Sequence, residues 1–113
     1  MTLRQKQSKF VVLTAGLILA ATKRGYELTF GDTYRDPRLH GELGVKLGYG
    51  HARSCHKLRL AVDFNVFKDG RFLEGAEADK AHGELRIEWV ALGGSPTVPG
   101  DLNHYSIEHE GVR

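Results

Sequence analysis

Cysteine is nearly absent: the 113-residue chain has one, Cys55. A lone thiol cannot close an internal disulfide, so nothing points to an oxidising compartment, and a cysteine-built structural zinc site is excluded. Any metal has to be held by histidine and carboxylate. A basic stripe is lacking too. Lysine plus arginine number 16 against 14 aspartate plus glutamate, and they are scattered, so nucleic acid is not an expected partner. The small surplus is compatible with an anionic polymer such as a cell wall. Internal repeats and low-complexity tracts are missing. One domain, 1–113, accommodates the whole chain and can bury a core of its own.

No apolar run is long enough to span a bilayer. The nearest is FVVLTAGLILAA (10–21), preceded by Arg4, Lys6 and Lys9 in the manner of a signal peptide. It has no clean small-x-small cleavage site. Lys23, Arg24 and Gly25 follow it as the end of a helix would, which favours a buried first helix over a signal or anchor.

What is present reads as α+β, a small antiparallel sheet flanked by helices. YELTF (26–30) alternates like a half-buried strand, and GDTYRDP breaks it. Asp36-Pro37 caps and opens a short helix through RLHGEL, followed by the glycine-rich loop LGYGHAR (47–53). LAVDFNVF (60–67) puts Leu60, Val62, Phe64 and Val66 on one face and Ala61, Asp63, Asn65 and Phe67 on the other. Lys68-Asp69-Gly70-Arg71 signals a hairpin returning through Phe72 and Leu73. Residues 76–92 read as a helix with Ala81, Leu85, Trp89 and Leu92 inward, stopped by Gly93-Gly94. A last strand is expected near 104–108.

The chemistry gathers in SCHKLRLAVD (54–63). His56 and Asp63 are seven residues apart, so on one continuous strand they would point to opposite faces; they share a site only if the chain bends between them. A carboxylate within an apolar strand is costly to bury unless it is paired or metal-bound. Asp101-Leu102-Asn103-His104 then brings a second carboxylate and a second imidazole. Two histidines and a carboxylate, with a fourth position for water, form the donor set of a catalytic zinc site, and a further carboxylate beside them serves as general base. Plainer readings exist for each residue. Asp101 is also a common turn former after Pro99-Gly100, Arg35 also has Asp32, Asp36 and Glu42 as ion-pair partners, and Ser54 could satisfy a local backbone group.

SCHKLRLAVD resembles the S-x-H-x-x-G-x-A-x-D motif of the zinc D-Ala-D-Ala carboxypeptidase and L-alanyl-D-glutamate endopeptidase family. DLNHYS resembles that family's second motif, and TYRDP its upstream segment with a substrate-facing arginine; the resemblance runs from about Gly25 to Glu108. It is nearest to short single-domain bacteriophage endolysins. Arg59 departs from it, standing where the motif has glycine, and the segment SPTVPG lacks a second aromatic after Trp89.

The resemblance implies a hedgehog- and DD-peptidase-like fold holding one Zn2+ through His56, Asp63 and His104. Asp101 would be the general acid/base, and Arg35 would bind the oxyanion or a substrate carboxylate. Ser54 and Tyr105 would contact substrate. The implied activity is hydrolysis of the peptidoglycan stem peptide between L-Ala and D-Glu. The alternatives are trimming of terminal D-Ala, or a zinc-binding recognition module without turnover. A monomer acting from the host cytoplasm after membrane permeabilisation, without inserting into the membrane, completes the expectation. Cys55 and Trp89 read as core residues, and Tyr49 as cleft-lining. His40, His51, His82 and His109 read as solvated or loop residues, with His51 near the site entrance.

Overall fold

A computed structural model describes residues 1–47 and 52–113; Tyr49 and His51 lie outside the described residues. The architecture is α+β, as the pattern indicates. The first helix, α1 (Leu3–Lys23), begins with a capping box: Thr2 Oγ1 accepts from Gln5 N at 3.2 Å while the Gln5 side chain accepts from Thr2 N at 2.8 Å. It ends as expected. The Arg24 N–H reaches back to the last carbonyls, and Gly25 turns the chain at φ +83°.

Strand β1 (Glu27–Phe30) follows, then the short helix α2 (Pro37–His40), capped by Asp36 through Arg38 N. A single 3₁₀ turn over Cys55–Leu58 leads into the long strand β2 (Ala61–Lys68). The hairpin to β3 (Arg71–Phe72) closes through Asp69 at φ 52° and Gly70 at φ 76°. Two successive left-handed residues are what a two-residue turn matched to the strand twist requires. Helix α3 (Gly75–Leu92) and strand β4 (His104–Ser106) complete the chain.

β2 pairs antiparallel with every other strand. The main chain of Asp63 faces the β1 side, through Gly31 N–H to Asp63 O at 2.7 Å and Asp63 N–H to Asp32 O at 2.8 Å. Main-chain groups of Phe64 and Val66 face the other edge, where Asn103 and Leu73 meet them. The core forms where α1 and α3 meet the sheet: Phe10, Leu13 and Leu17 against Val62, Phe64 and Val66, with Leu85 and Trp89 from α3. Trp89 is 0% exposed and donates its indole N–H to Ser106 O at 3.0 Å, tying α3 to β4.

Three expectations fail on burial. Leu92 is 40% exposed, because α3 turns inward Ala81, His82, Leu85, Arg86 and Trp89 instead. His82 is no surface residue: its ring lies 2.7 Å from the Tyr105 hydroxyl, and burial lowers its pKa. His40 is buried at the end of α2, whereas His109 is half-buried and accepts from the Lys6 ammonium at 3.1 Å.

Candidate metal centre

The bend between His56 and Asp63 is made by the 3₁₀ turn and the residue that ends it. Ser54 caps the turn by accepting from His56 N at 3.2 Å, and Arg59 then reverses the chain at φ 58°, ψ 36°. This left-handed conformation explains why a glycine suits the position and why arginine there is strained. The exposed guanidinium of Arg59 stacks 4.0 Å from the centre of the Tyr34 ring, a contact that offsets part of the strain.

Beyond Arg59, β2 brings Asp63 back beside His56, and the register Asp63↔His104 places the second imidazole opposite. The three donor atoms converge: His56 Nε2 to Asp63 Oδ1 is 3.1 Å, His56 Nε2 to His104 Nδ1 is 3.2 Å, and His104 Nδ1 to Asp63 Oδ1 is 3.3 Å. Ligands about 2.0–2.1 Å from a tetrahedral ion stand about 3.3 Å from one another, so this triangle has the size of one face of such a shell. His56, Asp63 and His104 form a cluster that could hold a metal ion.

Hydrogen bonding makes the case chemically. The His56 Nδ1–H donates to Thr33 O at 3.0 Å, which leaves Nε2 as a bare lone pair pointing into the triangle. That lone pair faces a carboxylate oxygen and a second imidazole. A proton on His104 Nδ1 satisfies one contact; a cation satisfies all three. His104 Nε2, on the far side of the ring from the triangle, is buried without a hydrogen-bond partner among the described residues. Burial opposes ionisation of Asp63, but with no ion between them the imidazoles of His104 and His56, when protonated, outweigh it through their hydrogen bonds and charges and hold the carboxyl well below the usual range. It is a carboxylate at any physiological pH.

Beside the triangle opens a cleft of about 180 Å³ lined by Arg35, Ser54, Val98, Asp101, His104 and Arg113, with Val112. Asp101 is half-exposed, its Oδ2 3.8 Å from His104 Nδ1. It therefore stands next to the donor set without belonging to it. Arg35 is almost buried; its Nη1 donates to Ser54 Oγ at 2.9 Å and its Nε lies 3.5 Å from Asp32 Oδ2. Asp36 is engaged by Arg38. Ser54 thus satisfies a local backbone group, as its plainer reading has it, and also receives Arg35.

Tyr105 does not reach the cleft. It is 0% exposed, packed between Trp89 and His82 with the Arg86 guanidinium over its ring, and burial pushes the pKa of its hydroxyl well up, so the expected substrate contact is replaced by a core role. Cys55 is buried next to His56 yet directed away, donating towards Ile107 O and Val112 O, with burial pushing the thiol up to about 11.

Two supports were not foreseen. The carbonyl of Thr33 carries no side-chain signal at all, and its role depends on where β1 ends. Arg86, on α3, donates to the carbonyls of Ser95, Leu102 and His104, clamping the loop that presents Asp101 and His104. Its signal was a lone arginine on the inward arc of a helix. Comparison with known proteins finds no matching family model, no matching curated protein and no matching solved structure.

Proposed function

We propose that this chain is a zinc-dependent peptidoglycan peptidase that hydrolyses the stem peptide, at the L-Ala–D-Glu bond. The observation that carries the reading is the three-donor triangle opening onto a cleft that holds a carboxylate and an arginine outside the donor set. A recognition module needs the metal but has no use for Asp101 beside it.

His56, Asp63 and His104 would hold the ion, which when bound supplies Lewis acidity, making water a nucleophile near neutral pH and polarising the scissile carbonyl. Asp101, half-exposed at the cleft wall, takes the proton of the attacking water and returns it to the departing amine. Arg35, held by Ser54 and Asp32, meets the negative charge that develops on the carbonyl oxygen, and its fixed position means little reorganisation at that moment. The Thr33 carbonyl keeps the His56 ring in one tautomer.

Trimming of a terminal D-Ala is the second reading. Arg113 lines the cleft together with Arg35, and paired guanidiniums suit a free terminal carboxylate. The test is turbidity loss of purified peptidoglycan, before and after chelation and zinc replacement, with products identified by mass. New L-Ala and D-Glu ends support the endopeptidase. Release of D-Ala alone from a free pentapeptide supports the second reading, and no product from either substrate contradicts both.

A further inference from the structure

The middle of α1 is apolar all round, although only one side of it packs on the core. Phe10, Leu13, Leu17 and Ala21 face inward, while Val11, Val12 and Leu19 are 67%, 70% and 71% exposed. At 100° per residue, Val11, Val12, Ala15 and Leu19 form one outward arc, with Ile18 beside it packing against the core, and Arg4 and Lys23 lie on or next to the arc towards the two ends of the helix. Next to it, Phe30 is 62% exposed and, with Phe10, Val11, Ile18 and Tyr34, lines an apolar cleft of about 500 Å³ with Arg59 in its wall. A helix that is apolar all round normally has something on both sides.

The charges say what the occupant is. Residues 1–26 hold Arg4, Lys6, Lys9, Lys23 and Arg24 and no acidic residue. Arg24 is neutralised by Glu84 and Glu88 of α3, Lys6 is turned to His109, and Lys9 lies against Gly93 at the end of α3, so Arg4 and Lys23 remain as the cations bordering the apolar face. A second copy is a poor fit. Whether the two helices ran parallel or antiparallel, a two-fold pairing would set Arg4 against Arg4 or against Lys23, with no carboxylate on the helix to relieve it. No helix of the described residues is long and apolar enough to cross a membrane. Apolar residues between basic ends suit a helix lying in the plane of an anionic bilayer surface, its valines and leucine below the headgroups and its cations among them.

We infer that the outer face of α1, with Phe30 and the adjoining cleft, docks on anionic lipid surfaces. This inference is independent of the peptidase reading, since neither the metal donors nor Asp101 belong to the face.

The test is co-sedimentation of the whole chain with vesicles of equal parts phosphatidylglycerol and phosphatidylcholine, against phosphatidylcholine alone. Binding to the anionic vesicles, weakened by salt, is expected. Arg4→Gln with Lys23→Gln should lower partitioning about thirtyfold, the contribution of two surface cations. Val11→Glu with Leu19→Glu should abolish it at unchanged melting temperature, and Val11→Ser with Leu19→Ser serves if the charged pair disturbs folding. Absence of binding, equal binding to both vesicle types, or binding indifferent to these substitutions would overturn the inference. So would dimers in sedimentation that the Val11 and Leu19 substitutions dissolve.

Discussion

Arg59 shows how one residue can carry the geometry of a site it does not touch. It bends the chain so that His56 and Asp63, out of phase on a strand, meet at 3.1 Å. Left-handed backbone costs a non-glycine residue about 1–2 kcal/mol, and an exposed cation–π contact returns about 0.5–1 kcal/mol. Arg59→Gly is therefore expected to be neutral to stabilising by about 1 kcal/mol, whereas Arg59→Val, β-branched and without the stacking, should cost about 2 kcal/mol in denaturant melts. Equal effects of the two would contradict the role given to the turn. At Asp101 the separation of binding from chemistry is testable: Asp101→Asn should keep metal affinity within a few-fold and lose about 10²–10⁴ in turnover. If metal were lost with it, Asp101 would belong to the donor set.

The elements were largely legible because they rest on local signals. Alternation in LAVDFNVF, the Asp69-Gly70 turn and the Gly93 stop each mark their own structure, and β1, β2, β3, β4 and α3 fall where they are expected. The donor trio was implied by the resemblance of SCHKLRLAVD and DLNHYS to the two family motifs, while the seven-residue spacing by itself argued for opposite faces; the structure brings the three together as a cluster that could hold a metal ion. What was not legible depends on distant partners. Tyr105 and His82 lie 23 residues apart and are buried against each other, so the motif position of Tyr105 misled about its role. Leu92 and Arg86 likewise swap the sides that hydrophobicity alone would give them.

Lys57 is the clearest such case at this scale. Lysine is seldom buried, yet Lys57 is, and its ammonium donates to the carbonyls of His40 (2.8 Å), Glu42 (3.3 Å), Val45 (2.6 Å) and Ala52 (3.1 Å). It fastens the segment after α2 to the turn that carries His56. Lys57→Met keeps the stem and removes the donors. It should cost about 2–4 kcal/mol and speed amide exchange in residues 40–47 more than in β2 or α3. Uniform loss of protection would show that Lys57 supports the whole fold instead of this segment.

For the whole molecule, the donor triangle sits near the start of the central strand, so an ion held there would couple its binding to folding. An ion that binds only the folded chain stabilises it by about 2.7 kcal/mol at a hundredfold excess over Kd, which for a domain of this size raises Tm by about 10 °C. Chelation should reverse the shift. His56→Ala should show none, and its unliganded Tm should differ from that of the unliganded parent by far less than the zinc-induced gain. The measurement that bears most directly on the central claim is zinc content by elemental analysis of the parent and His56→Ala, read together with lysis of purified peptidoglycan by the same preparations. One zinc per chain, lost with His56, and lysis abolished by chelator and restored by zinc is the expected result; no stoichiometric metal, or bound metal without lysis, would contradict it.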